Sequence, residues 1–205
     1  MEKKIIKNVI LDFGGVLCEL HRQRCLEAFE AMGFKGVEHI ISQTHSSGPF
    51  TELELGNISI EDFHDNISTY LYEGVSPQDI DNAWMLMLGI IPDAKKELLL
   101  KLKKDYRLFL LSNTNEIHWP FAKRNIWPYK EFQLEDYFEK VFLSYEMHLG
   151  KPDPAIFKKV LAETNIKAKE TLFIDDSPLS IESAAKLGIQ THCAKMYEDW
   201  SNLFY

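Results

Sequence analysis

Five short, nearly continuous apolar runs with helical patterns between them constrain this chain more than any other feature. They are Ile5–Leu11 (IIKNVIL), Tyr106–Leu111 (YRLFLL), Val141–Ser144 (VFLS), Thr171–Ile174 (TLFI) and Ile189–Cys193 (IQTHC). A strand that is apolar at consecutive positions is covered on both faces, as in parallel sheets. Asp93–Lys104 (DAKKELLLKLKK) reads as a helix with Asp93 as N-cap and lysines in its last turn, the charge order a helix dipole favours. Pro154–Thr164 and Pro178–Leu187 each start with proline at a first helical position, and Gly188 stops the second. Strands alternating with such helices predict an α/β fold, a Rossmann-like doubly wound parallel sheet.

The stretch from residue 19 to 91 breaks the rhythm. It contains the helical patterns Gln23–Met32, Ile60–Tyr72 and Pro77–Leu88, with Ser59, Asp62 and Ser76-Pro77 as helix starts, and no strand pattern. A crossover between parallel strands needs only a dozen or more residues. The expected organisation is therefore a core domain of residues 1–18 and 92–205, with residues 19–91 inserted as a helical cap subdomain. Within it, Trp84, Met85, Met87 and Leu88 read as helix core or as its contact with the main domain.

Ligands in open parallel sheets bind at the carboxyl ends of the strands. Asp12 follows the first run, Ser112-Asn113-Thr114-Asn115 the second, Lys151 lies in the loop LGKPDP after the third, and Asp175-Asp176-Ser177 follow the fourth. Each residue also has a purely structural reading. Asp12 could form an Asx-turn, and Asn113 could cap a helix with Glu116 completing a capping box. Lys151 could be a solvated charge, and Asp176 or Ser177 could cap the helix at Pro178. What stands out is a carboxylate, a hydroxyl, a cation and an acidic pair, each at the same end of its strand.

In that order the residues resemble the haloacid dehalogenase-like hydrolases, most of which are phosphatases. LDFGGV resembles the first motif, whose leading aspartate is the nucleophile, and LLSNTN the second, whose serine binds the phosphoryl group. GKPDP resembles the third, whose lysine steadies nucleophile and phosphate, and FIDDS the fourth, whose acids hold magnesium. SNTNEIH, FLSYEMHLGKPDP and the glycine two residues after the nucleophile resemble the subgroup containing α-D-glucose-1-phosphate phosphatase. The resemblance implies Asp12 and Lys151 as catalytic residues and Ser112, Asn113 and Lys151 as substrate-binding residues. It implies Asp12, the Gly14 carbonyl, Asp175 and Asp176 around Mg²⁺, with Asp175 acting directly or through water. The chemistry agrees, because a carboxylate attacking a phosphate ester needs cations already in place, and hard oxygen donors without a Cys/His cluster favour Mg²⁺ over zinc.

One position departs from the pattern. Typical phosphatases of the family carry a second aspartate two residues after the nucleophile, to protonate the departing alcohol and activate water; here that residue is Gly14. General acid–base catalysis contributes about 10²–10⁴-fold. A good leaving group needs less help, which points to a hexose-1-phosphate as the substrate. Alternatively an acid reaches in from the cap, with Glu19, His21 and His45 as candidates, or the protein binds phosphorylated metabolites and catalyses weakly. A 2-haloacid dehalogenase, in which the same aspartate attacks carbon, is the alternative reaction, and the acidic pair argues against it.

A formal charge of −8 leaves no basic face for nucleic acid. No apolar stretch is long enough to cross a bilayer, and the N-terminal run is broken by Asp12 and lacks signal-peptide organisation. Cys18, Cys25 and Cys193 show no C-x-x-C spacing and read as free buried thiols. The expectation is a soluble, cytoplasmic monomer or homodimer acting on a small phosphorylated metabolite. His118-Trp119-Pro120 read as packing or as the rim of the entrance, and the aromatic tail Trp200–Tyr205 as a docking element for the domain or for another subunit.

Overall fold

The structure is a computed structural model that describes residues 6–38, 48–196 and 198–204. Five parallel strands form one sheet: β1 (Asn8–Leu11), β2 (Arg107–Ser112), β3 (Lys140–Leu143), β4 (Thr171–Asp175) and β5 (Gln190–Cys193), in the order β3-β2-β1-β4-β5. Each predicted run thus becomes a strand; the start of the first, at Ile5, lies outside the described residues. Ser144 leaves the third strand to open a short helix.

β1 is central, pairing Leu11 with Leu110 of β2 on one side and with Ile174 of β4 on the other. Alternate residues point to opposite faces. Val9 and Leu11 pack with Leu108, Leu110, Trp119 and Trp127, while Ile10 packs with Phe109, Phe157 and Phe173. Both faces are thereby dry, which is why the strands read as continuous apolar runs.

Among the described residues, four helices lie between β1 and β2 before the first core helix: α1 (Arg22–Ala31), α2 (Pro49–Glu54), α3 (Ile60–Ser68) and α4 (Pro77–Met85). They share a third core built on Phe29, Phe34, Phe50, Phe63 and Trp84. The starts of α3 and α4 are capping boxes, Ser59 with Asp62 and Ser76 with Asp79. α3 ends four residues before the predicted Tyr72 and α4 three before the predicted Leu88. The chain enters and leaves this region side by side: Glu19 N donates to Ile90 O (2.9 Å), Gly89 N to Glu19 O (2.8 Å) and His21 N to Met87 O (2.8 Å).

The remaining helices are α5 (Asp93–Leu102), α6 (His118–Asn125), α7 (Leu134–Tyr137), α8 (Ser144–Met147), α9 (Pro154–Thr164) and α10 (Pro178–Lys186). Two capping expectations are corrected. Pro92 holds the N-cap position of α5, and Asp93 is its first residue, where its charge still favours the dipole. The Asn113–Glu116 capping box does not form; Asn115 Oδ1 accepts from Ile117 N (3.0 Å) and His118 N (2.9 Å) instead. Cys18 and Cys25 are buried as expected, whereas Cys193, at the end of edge strand β5, is exposed. The tail docks on its own domain: Trp200 is buried with Nε1 donating to Val16 O, and Phe204 meets Tyr106 edge-on.

Candidate active site

The sheet order reverses direction between β1 and β4, and loops diverging at such a point leave a crevice at the carboxyl ends of the strands. The register that pairs Leu11 with Leu110 and Ile174 puts Asp12 level with Leu111 and Asp175, and Asp12 N donates to Ile174 O (2.9 Å). Sheet pairing alone therefore sets the two carboxylates on adjacent strands at one height. Asp176 follows, and one oxygen from each of Asp12, Asp175 and Asp176 lies within 4.8 Å of the others.

Lys151 binds this cluster from the loop after α8. Its Nζ is 2.7 Å from Asp12 Oδ1 and 2.6 Å from Asp175 Oδ2. Its side chain is only 4% exposed, so this is a buried ion network and not a solvated lysine. Burial opposes the lysine charge, but Asp12 and Asp175 together outweigh it and hold the ammonium well above its usual range. Burial pushes the Asp12 carboxyl up to about 7, with Lys151 pulling it down and Asp175 and Asp176 pushing it up.

Asp175 has both oxygens engaged, Oδ2 by Lys151 and Oδ1 by the backbone N–H of Ser177 (2.7 Å). Ser177 in turn caps α10. Gly15 explains how the first loop can lie against the acids: its φ is +75°, and a Cβ there would stand 2.3 Å from Asp176 Oδ2. Gly14 lines the same cavity, and a Cβ on it would meet the Leu20 methyls at 3.2 and 3.3 Å. Three carboxylates facing one lysine leave two negative charges, which a divalent cation balances, and carboxylate oxygens are the hard donors Mg²⁺ prefers. The residues fit that ion.

Ser112 is buried at the end of β2 and lines the cavity. Asn113 lines it too, but its amide faces Lys151: Nδ2 donates to Lys151 O (2.9 Å) and Oδ1 accepts from Lys151 N (2.9 Å). Asn113 therefore clasps the lysine loop, with its side chain committed to that task. Of the acids proposed to reach in from the cap, Glu19 and His21 are not among the cavity-lining residues, and His45 lies outside the described residues.

The cavity is about 270 Å³ and takes residues from both halves of the chain. The helical segment contributes Arg22, Glu54, Trp84 and Met87, and α6 contributes His118. His118 Nε2 lies 2.9 Å from Trp84 O, and its ring stacks on Trp84 at 4.5 Å. Burial lowers its pKa to about 4, so the ring is neutral, and a carbonyl partner places the proton on Nε2. Arg22 and Glu54 carry no motif that sequence reading could use. Among the described residues no helix is long and apolar enough to cross a membrane.

A family described as haloacid dehalogenase-like hydrolase matches residues 6–188. D-ribitol-5-phosphate phosphatase from Bacteroides thetaiotaomicron is 30% identical over 196 residues, which is 96% of this chain and 95% of that protein. A HAD family enzyme from the same organism, solved in complex with magnesium and inorganic phosphate, superposes with a TM-score of 0.91 at 47% identity, covering 98% of this chain and 100% of that one. A HAD-like family hydrolase from Porphyromonas gingivalis follows with a TM-score of 0.88 and 35% identity, over 96% and 94% of the two chains.

Proposed function

This chain belongs to the haloacid dehalogenase-like hydrolases, and from that premise we propose that it is a Mg²⁺-dependent phosphatase acting on a small phosphorylated sugar or sugar alcohol. The observation that carries the reading is the buried Lys151 ammonium held between Asp12 and Asp175 beside a third carboxylate. Similarity to a solved magnesium and phosphate complex supports the same reading.

Asp12, at the end of β1, attacks phosphorus; the ester P–O bond breaks and the phosphoryl group passes to the Asp12 carboxylate. Lys151 favours the charged form of Asp12 against its burial and faces the phosphoryl oxygens. Ser112 and main-chain N–H groups of its loop hold the remaining oxygens. Asp12, Asp176 and the Gly14 carbonyl would hold Mg²⁺, which would supply positive charge against the repulsion of the two anions. Asp175 is committed to Lys151 and Ser177 N, which suits a role in orienting the set or acting through water. Water then cleaves the acyl phosphate and restores Asp12.

Residues 19–91 serve as the cap and residues 1–18 with 92–205 as the core, the paired segments at 19–21 and 87–90 forming the joint. A cavity of about 270 Å³ suits a metabolite and not a phosphoprotein. Similarity to a phosphatase named for D-ribitol 5-phosphate favours a primary alkyl ester over the hexose-1-phosphate suggested by Gly14 alone. A panel of pentitol, pentose and hexose phosphates assayed with Mg²⁺ tests this. Turnover of a 5- or 6-phosphate above hexose-1-phosphate supports the reading. Activity that survives EDTA would redirect it to the metal-free dehalogenase reaction, and silence on every ester would leave a binding protein.

A further inference from the structure

A primary alkoxide is a poor leaving group, so its departure needs a proton, and the cavity holds few groups able to give one. Asp12 is the nucleophile, Lys151 is bonded to two carboxylates, and Asp175 is held by Lys151 and Ser177 N. Asp176 belongs to the cation site. Arg22 does not release its proton. The His118 N–H is committed to Trp84 O. The position two residues after Asp12 has no acid, and Leu20 fills the space beside it.

Glu54, the last residue of α2, is the remaining candidate. It lines the cavity with Asp12, Ser112 and Lys151, and it also lines an adjoining groove with Asn113 and Lys151. Among the described residues no hydrogen bond engages its carboxyl. Its backbone, by contrast, is anchored to the core domain over three successive residues. Ser144 Oγ lies 2.5 Å from Glu54 O while accepting from Thr114 N (2.9 Å), which ties Glu54 to the loop that follows β2. His148 Nδ1 lies 3.0 Å from Leu55 O. Gly56, with φ of +65°, comes so close to α8 that a Cβ would stand 2.2 Å from Tyr145 O. The backbone that carries this carboxyl is thus fixed against the core, at the wall of the cavity that Asp12 also lines. Burial pushes the carboxyl up to about 7 against the opposing pull of Lys151 and Arg22, so both its protonated and its charged form are populated near neutrality.

Building on the phosphatase reading, we propose that Glu54 is the general acid and base that Gly14 does not provide. In the first half-reaction Asp12 bonds to phosphorus, the P–O bond to the alcohol breaks, and the Glu54 proton passes to the leaving oxygen. In the second, the Glu54 carboxylate takes a proton from water as that water bonds to phosphorus, the P–O bond to Asp12 breaks, inorganic phosphate leaves, and Glu54 is again protonated.

The test compares wild type and Glu54→Gln with Mg²⁺ on two esters: the sugar or polyol phosphate that wild type turns over fastest, and p-nitrophenyl phosphate, whose phenolate leaves unaided. In the variant, turnover of the sugar ester falls by about 10²–10⁴-fold. p-Nitrophenyl phosphate still gives a rapid burst of one nitrophenol per site, followed by slow turnover, because transfer to Asp12 survives while hydrolysis of the acyl phosphate does not. Glu54→Ala serves as a second variant, in which added formate restores sugar-ester turnover. A loss below 10-fold on the sugar ester, or loss of the burst together with sugar-ester turnover in both variants without formate rescue, overturns the assignment. Inactivity of wild type on both esters instead overturns the phosphatase reading itself.

Discussion

Replacing Lys151 by methionine is the perturbation that most directly probes the electrostatics of the site. The substitution preserves the stem and removes an ammonium that is 2.7 Å from Asp12 and 2.6 Å from Asp175, with all three side chains largely buried. Removing one member of a buried ion network leaves uncompensated charge and costs about 3–5 kcal/mol. At about 2–4 °C per kcal/mol for a chain of this size, metal-free Lys151→Met melts roughly 6–20 °C below wild type. The deficit depends on pH in a defined sense. Lys151 lowers the pKa of Asp12, but burial outweighs that pull and holds the carboxyl at about 7. Without the lysine that pKa rises further, so the variant takes up a proton as pH falls and escapes part of the penalty. The deficit is therefore larger at pH 8 than at pH 5, and adding Mg²⁺ reduces it by supplying replacement charge. Thermal melts in EDTA and in Mg²⁺ at the two pH values measure all three effects. A variant within about 2 °C of wild type at pH 8 in EDTA would refute the assignment of a compensating buried charge to Lys151.

Two further predictions rest on single residues. Gly15→Ala forces an L-residue to a φ of +75°, costing about 1–2 kcal/mol, and drives Cβ to 2.3 Å from Asp176 Oδ2; the melting temperature drops and a Mg²⁺ titration shows weaker affinity, and an unchanged affinity would argue that the first loop does not shape the acid cluster. His118 has its pKa lowered from 6.5 to about 4 by burial, so the unfolded chain binds more protons in that window and the stability His118 contributes is lost as pH falls from about 6.5 to 4, by at most about 3 kcal/mol; His118→Gln flattens that limb in urea titrations, and an unaltered slope would contradict a neutral, buried ring.

The ends of β1, β2 and β4 are legible in the sequence because each of those apolar runs stops on a polar residue, Asp12, Ser112 or Asp175, and sheet pairing does the rest. Asp12 and Asp175 meet because β1 and β4 are neighbours, a consequence of the crossover pattern that motif order already implies. Lys151 reads as a possible surface charge on its own; only its enclosure by two carboxylates from other strands identifies it as buried. Asn113 is legible as a site residue, but its amide turns to the Lys151 backbone 38 residues away, and Asn115 does the capping. Glu54 is invisible in the sequence. PFTELE has no motif, and what fixes its position is a contact with Ser144, 90 residues distant. The short helices α7 and α8, of four residues each, are equally opaque, since helical periodicity needs more than one turn to show.

The central claim is that Asp12 carries the phosphoryl group between the ester and water. Acid-quenching the enzyme during turnover with Mg²⁺ and analysing its peptides by mass spectrometry tests it directly. The account predicts a phosphoryl adduct on the peptide containing Asp12, formed at the rate of alcohol release and absent from Asp12→Asn, which does not turn over. Turnover without any adduct, undiminished in Asp12→Asn, would contradict it.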